Sequence, residues 1–166
     1  PAVSLVTVRR LMEPVSVPSS PAVKINDPYN FMVQANRLAG QDKGVFGADL
    51  PVSAAEARAL LERAFGENGR LAGAVLPEDA ATPVTRDAFV TALWVSLEGK
   101  LAAKTGAADR IYSDIPETGR LHAVVAALSR ADVLGAIPPT GPFDPGRTVT
   151  RGLAADLVVR AMASRP

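Results

Sequence analysis

Phe143-Asp144-Pro145-Gly146-Arg147-Thr148-Val149-Thr150-Arg151 is the stretch whose reading decides the fold. Pro145 and Gly146 turn the chain, Thr148 and Val149 run extended, and Thr150 stands as the N-cap of a following helix. A shorter copy lies upstream as Thr82-Pro83-Val84-Thr85-Arg86. The shared Val-Thr-Arg predicts a repeated device that starts a helix straight after an extended residue.

Outward from that stretch the apolar residues fall at helical spacing. After Thr150, the residues Leu153, Leu157, Val158, Ala161 and Met162 predict the inner face of one helix. Leu121, Val124, Val125 and Leu128 predict another over about 119–131. The loop from 135 to 148 holds four of the fourteen prolines and is expected to be irregular. Thr85 caps a helix marked by Phe89, Ala92, Leu93 and Leu97, with Trp94 beside the stripe, that ends at Gly99 or continues toward Lys104. Ser53 and Glu56 form a capping box ahead of Ala57, Leu60, Leu61, Ala64 and Phe65. Gly66-Glu67-Asn68-Gly69 is expected to end that helix. A loop from 71 to 83 with a short strand at 74–76 should follow. Further upstream, Asp27-Pro28 is an N-cap and first-turn proline ahead of Phe31, Ala35, Leu38 and Ala39. Residues 1–24, broken by Pro14, Pro18 and Pro21, read as an extended linker or edge segment with one or two short strands.

The chain also repeats itself. Leu71-Ala72-Gly73-Ala74-Val75 aligns with Val133-Leu134-Gly135-Ala136-Ile137, and each leads through a proline-containing loop to Val-Thr-Arg. This divides residues 25–166 into a degenerate unit over 25–65, a unit over 52–104 and the best-preserved unit over 109–164. Ser53 stands in the first where Thr85 and Thr150 stand in the others. One helix pair does not bury its apolar faces alone, so the units should stack. The expected fold is all-α, a pseudo-repeat helical bundle of about five main helices with long Pro/Gly loops and minor β pairing.

Composition narrows the function. The 166 residues suit one compact domain or a few small repeats sharing a core. They are 48% hydrophobic but only 5% aromatic, which favours close helix packing over large aromatic pockets. A net charge of +1 with mixed signs leaves no electrostatic footprint for nucleic acid. Without cysteine there is no disulfide, Cys-based zinc site or thiol nucleophile. No apolar run approaches the roughly 20 residues of a bilayer crossing. The chain starts at Pro1 without a signal-peptide pattern and reads as an excised piece of something longer. No phosphate loop, nucleophile elbow or metal-binding helix motif is present. His122, the single histidine, has no His or Cys partner in view. Asp109 and Asp114 lack the spacing of a calcium loop. The expectation is a non-enzymatic protein with no cofactor and no metal.

The third unit opens on Tyr112-Ser113-Asp114-Ile115-Pro116, turns at Phe143-Asp144-Pro145 and enters its second helix at Val149-Thr150-Arg151-Gly152-Leu153, and in these motifs it resembles the S-layer homology domain. Tyr112-Ser113-Asp114-Ile115-Pro116 matches that family's opening signature, and Ala127-Leu128 and Val133-Leu134-Gly135 match its helix end. Phe143-Asp144-Pro145 matches its turn, and Val149-Thr150-Arg151-Gly152-Leu153 its hydrophobic-Thr-Arg-Ala-Glu hallmark. The second unit matches through Pro83-Val84-Thr85-Arg86-Asp87-Ala88-Phe89. The hallmark's acid is missing at Leu153 and Ala88, whereas the first unit keeps Glu56 but has Ala54 in place of Arg. The family's tryptophan is missing near Arg120 and Leu121.

The resemblance implies a three-pronged helical spindle on the bacterial cell surface. It would be anchored to secondary cell-wall polysaccharide or peptidoglycan-associated glycan, in the company of S-layer or envelope proteins. It also implies ligand contacts at Thr85, Arg86, Asp87, Gly135, Thr150 and Arg151. A carboxylate-bearing sugar would suit a helix N-terminus with an arginine in its first turn. Asp27, Ser53, Glu56 and Asp114 are expected to be structural, as caps. Two readings of Arg86 and Arg151 stand side by side. Convergence of both on a solvent-open groove between helix N-termini would favour glycan binding. Burial of both in ion pairs would favour a scaffold for protein assembly without glycan binding.

Overall fold

The computed structural model describes residues 47–98, 100–102, 110 and 112–165. The expected helix after Asp27, the segment 1–24, Gly99 and Asp109 lie outside the described residues. Within them the protein is all-α, with five α-helices and no named strand: α1 (Ala54–Phe65), α2 (Glu67–Ala72), α3 (Arg86–Ser96), α4 (Arg120–Arg130) and α5 (Arg151–Ala163).

Local chemistry explains where these helices start. Ser53 is extended, at φ −78° and ψ 161°, and its hydroxyl accepts the Glu56 N–H while the Glu56 carboxylate accepts the Ser53 N–H at 2.9 Å. That reciprocal box satisfies two donors the helix leaves orphaned. Thr85 and Thr150 cap α3 and α5 by accepting the N–H groups of Ala88 and Leu153. α2 and α4 begin without a side-chain cap, from Gly66 at φ 63° and Gly119 at φ 133°.

The stretch after α1 departs from expectation. Gly66 alone, at φ 63°, turns the chain, and residues 67–72 form α2 instead of a terminating loop. Gly69 sits inside α2 because a Cβ there would lie 1.9 Å from the Leu61 carbonyl oxygen, so the glycine serves close helix packing. The expected strand at 74–76 is a 3-10 turn over Gly73–Val75. Arg58 of α1 pins it by donating to the carbonyls of Gly73, Leu76 and Pro77.

Leu60, Leu61, Phe89, Leu93, Leu128, Leu134 and Leu157 are fully buried in one continuous core. At its centre is a ring of backbone bonds. The Val52 N–H donates to the Val149 carbonyl, Val149 to Val84, and Val84 back to Val52, each at 2.9 Å. All three valines are wholly buried, so these bonds are shielded from water. Three isolated antiparallel bridges flank the ring: Pro51 with Thr150, Ser53 with Pro83, and Thr85 with Thr148. Ser53, Thr85 and Thr150 therefore occupy equivalent places.

The equivalence extends on both sides. Each arm begins with a tight turn, closed from Leu50 to Gly47, from Thr82 to Asp79 and from Arg147 to Asp144. Each turn then caps a helix in another arm. Thr82 and Ala80 carbonyls accept the first two N–H groups of α1, Arg147 and Pro145 those of α3, and Leu50 and Ala48 those of α5.

Candidate functional site

The expected site residues fall into a buried hub and an open cleft. In the hub, Arg151 is 2% exposed and its guanidinium meets the Glu56 carboxylate at 2.5 Å. Glu56 therefore does more than close the capping box. One oxygen holds the start of α1 and the other pairs with the first residue of α5. Gly47 lies against the same guanidinium, with 3.5 Å between a Cβ built there and Arg151 Nη1.

Arg86 takes another arrangement at the equivalent place. It is 7% exposed, donates through Nη1 to the Phe143 carbonyl, and lies over the Phe143 ring at 5.5 Å from its centroid. Its Nε is buried with no hydrogen-bond partner among the described residues. Burial pulls its pKa down, and Arg147 adds to this, while Asp144, Tyr112 and Asp114 push the other way. Tyr112 meets the same Phe143 ring edge-on at 5.3 Å.

The threonine hydroxyls and helix starts are occupied as well. In α1, α3 and α5 the first two N–H groups go to turn carbonyls and the third goes to the cap side chain. The unpaired N–H groups expected to face a carboxylate sugar are therefore absent there. The acceptors of the first two are backbone carbonyls of a neighbouring arm, far away in the sequence.

Asp114 also differs from expectation. It does not cap α4. Its carboxylate accepts the N–H groups of Phe143 and Asp144 at 2.6 and 2.7 Å, stapling the turn that precedes α5. Partial desolvation pushes this carboxyl up, but the two N–H donors and the Arg86 charge outweigh it and hold it below its ordinary value.

Gly135 is explained by packing. A Cβ there would lie 2.2 Å from Arg160 Nη1, so the glycine makes room for a guanidinium that bonds Asp156 at 2.8 Å and approaches Asp132 at 3.5 Å. Arg110 approaches the same Asp132 at 3.8 Å and donates to the Leu134 and Ile137 carbonyls. Asp156 is 4% exposed, and burial pushes its carboxyl up while Arg160 holds it back. Sequence reasoning did not single out this charged staple, although Asp156 and Arg160 stand four apart on one helix, a spacing that signals such a pair.

Of the expected contacts only Asp87 faces open space. It lines a cleft of about 320 Å³ between α3 and α4 with Val75, Ala88, Thr91, Arg120 and Leu121. Arg120 is exposed and has no ion-pair or hydrogen-bond partner among the described residues. A second, larger cavity of about 610 Å³ is lined by Tyr112, Ile115, Glu117, His122 and Val125. His122 is exposed at that cavity, and among the described residues no cluster of His, Asp or Glu could hold a metal ion. No described helix is long and apolar enough to cross a membrane.

No known protein-family profile matches the chain, and no curated protein matches it in sequence.

Proposed function

We propose that the chain is a non-catalytic module of the bacterial cell envelope, a three-unit spindle of the S-layer-homology type, acting at the cell surface. The observation that carries this reading is the ring of Val52, Val84 and Val149. The resemblance implies three repeats about a pseudo-threefold axis, and three equivalent capped helix starts around one ring are what such an axis requires.

In this reading the Val-Thr-Arg devices build the hub. Arg86 and Arg151 are spent inside it and hold no glycan. Wall polysaccharide or peptidoglycan-associated glycan meets the cleft beside α4 instead. There the exposed Arg120 supplies a cation for a sugar carboxylate, and Asp87 and Thr91 supply hydroxyl-directed hydrogen bonds. The burial of both arginines specifically favours a second reading, a scaffold of the same architecture that assembles with S-layer or envelope proteins and binds no glycan.

Sedimentation with purified cell-wall sacculi, before and after stripping of the polysaccharide, separates the two. The anchoring reading expects the wild type to pellet with intact sacculi, and Arg120→Ala and Asp87→Ala to reduce pelleting without loss of fold by circular dichroism. A wild type that stays in the supernatant sinks anchoring and leaves the scaffold. Pelleting unchanged in both variants removes the cleft as the site.

A further inference from the structure

One spacing recurs three times in the hub. The first N–H of α1 meets the Thr82 carbonyl, that of α3 meets Arg147, and that of α5 meets Leu50. The residues that donate are Ala54, Arg86 and Arg151. Continuing along the chain from each accepting carbonyl, through the extended residues and the cap, leads to the third residue of the next helix. That residue is Ala88 after Thr82, Leu153 after Arg147, and Glu56 after Leu50. Arg151 and Glu56, the first and third residues of two helices, meet across one seam, and the equivalence of the three turns assigns Arg86 to Leu153 and Ala54 to Ala88 in the other two.

Only one seam holds both charges. Arg151 faces Glu56 and pairs with it. The seam of Ala54 and Ala88 holds neither charge. The seam of Arg86 holds the cation and has Leu153 where the acid would stand. We infer that position 153 is the place of a missing carboxylate in a ring of inter-unit clasps. Arg86 is thus a hub cation whose built-in partner position carries a leucine. Its other contacts fit this assignment. The guanidinium makes do with the Phe143 carbonyl and ring. Leu153 is half-buried against the core at the third position of α5, as Glu56 is at the third position of α1. The hub is therefore clasped between its first and third arms and unclasped between its second and third. The inference concerns the hub alone and does not depend on glycan binding.

The test is a double-mutant cycle on the full chain, with urea unfolding followed by circular dichroism. Leu153→Glu is combined with Arg86→Met, and the coupling between the two is read. A new charged hydrogen bond is expected to appear as a coupling of roughly tenfold in the unfolding equilibrium constant, favouring the glutamate when Arg86 is present. Ala88→Glu, which faces Ala54, should show no coupling to Arg86→Met. Leu153→Gln, neutral and of similar shape, should couple less than the glutamate. Zero coupling at 153, equal coupling at 88, or a Leu153→Glu chain that fails to fold while Leu153→Gln folds would each overturn the inference.

Discussion

Arg86 and Arg151 open equivalent helices from the same Val-Thr-Arg triplet, yet one meets a carboxylate and the other meets a carbonyl and a ring. The difference lies in neither triplet. It lies in the third residue of another helix, Glu56 in one case and Leu153 in the other. A side chain's role in this hub is set by the arm it leans on. The motif containing it fixes the cap and the direction of the helix, and leaves the arginine's partner undetermined.

The sharpest way to break the comparison is to remove Arg151. Arg151→Met leaves the Glu56 carboxylate, whose side chain is only 13% exposed, without its cation. Breaking a buried pair by removing one partner costs about 3–5 kcal/mol. The drop should appear as a lower urea midpoint, and an Arg151→Met midpoint equal to wild type would show that the clasp contributes nothing.

Arg86→Met should cost less, about 1–3 kcal/mol, because what remains unpaired is the Phe143 carbonyl and not an ion. The ranking of the two variants carries more than either value. If Arg86→Met were the more damaging, the clasped and unclasped seams would have been assigned the wrong way round.

The threonine caps should not tell the seams apart. Thr85→Ala and Thr150→Ala each remove one bond to a third helical N–H and should each cost about 1 kcal/mol. A twofold or larger disparity in free energy between them, measured by urea unfolding, would show that cap and clasp are coupled.

The smallest expected effects are in pH dependence. Asp156 has its folded pKa raised, so the folded chain holds that proton to higher pH than the unfolded chain. Its contribution is greatest below the ordinary carboxylate value of about 3.9 and declines as pH rises through the raised folded value. Asp114 has the opposite sign. Its lowered folded pKa gives stability that is present above the ordinary value and is lost as pH falls through the folded one. In stability–pH curves, Asp156→Asn should remove a decline on the rising side, and Asp114→Asn should remove part of the acid loss. Identical curves for the two variants would contradict the assigned directions.

The capped helices could be read from the sequence because their causes are local. Ser53 with Glu56, and the threonines with the third N–H beyond them, act within one turn, and the apolar stripes of α1, α3, α4 and α5 repeat at one period. α2 could not, since Asn68-Gly69 is also a turn signal, and only the approach of the Leu61 carbonyl reveals why the glycine is there. From the sequence Asp114 reads as a cap on the turn before α4, whereas its donors lie about thirty residues on, across the fold. The same reason hid the fate of Arg86 and Arg151. Their partners are chosen by the ring, and a ring formed from backbone atoms of three separated segments leaves no mark on side-chain periodicity.

The ring also bears on how the chain reaches its folded state. Its bonds join residue 52 to 149 and 149 to 84, so it closes only when segments from both ends of the described region have met. Contacts of such long sequence separation are slow to form, because loop-closure entropy is paid before they reward it. The starts of α1, α3 and α5 are each completed by carbonyls from a different arm, so none of these three is finished until its neighbour arrives. Unfolding should therefore be a single cooperative event, in which a nick in any one turn loosens the helix that turn serves and, through it, the next.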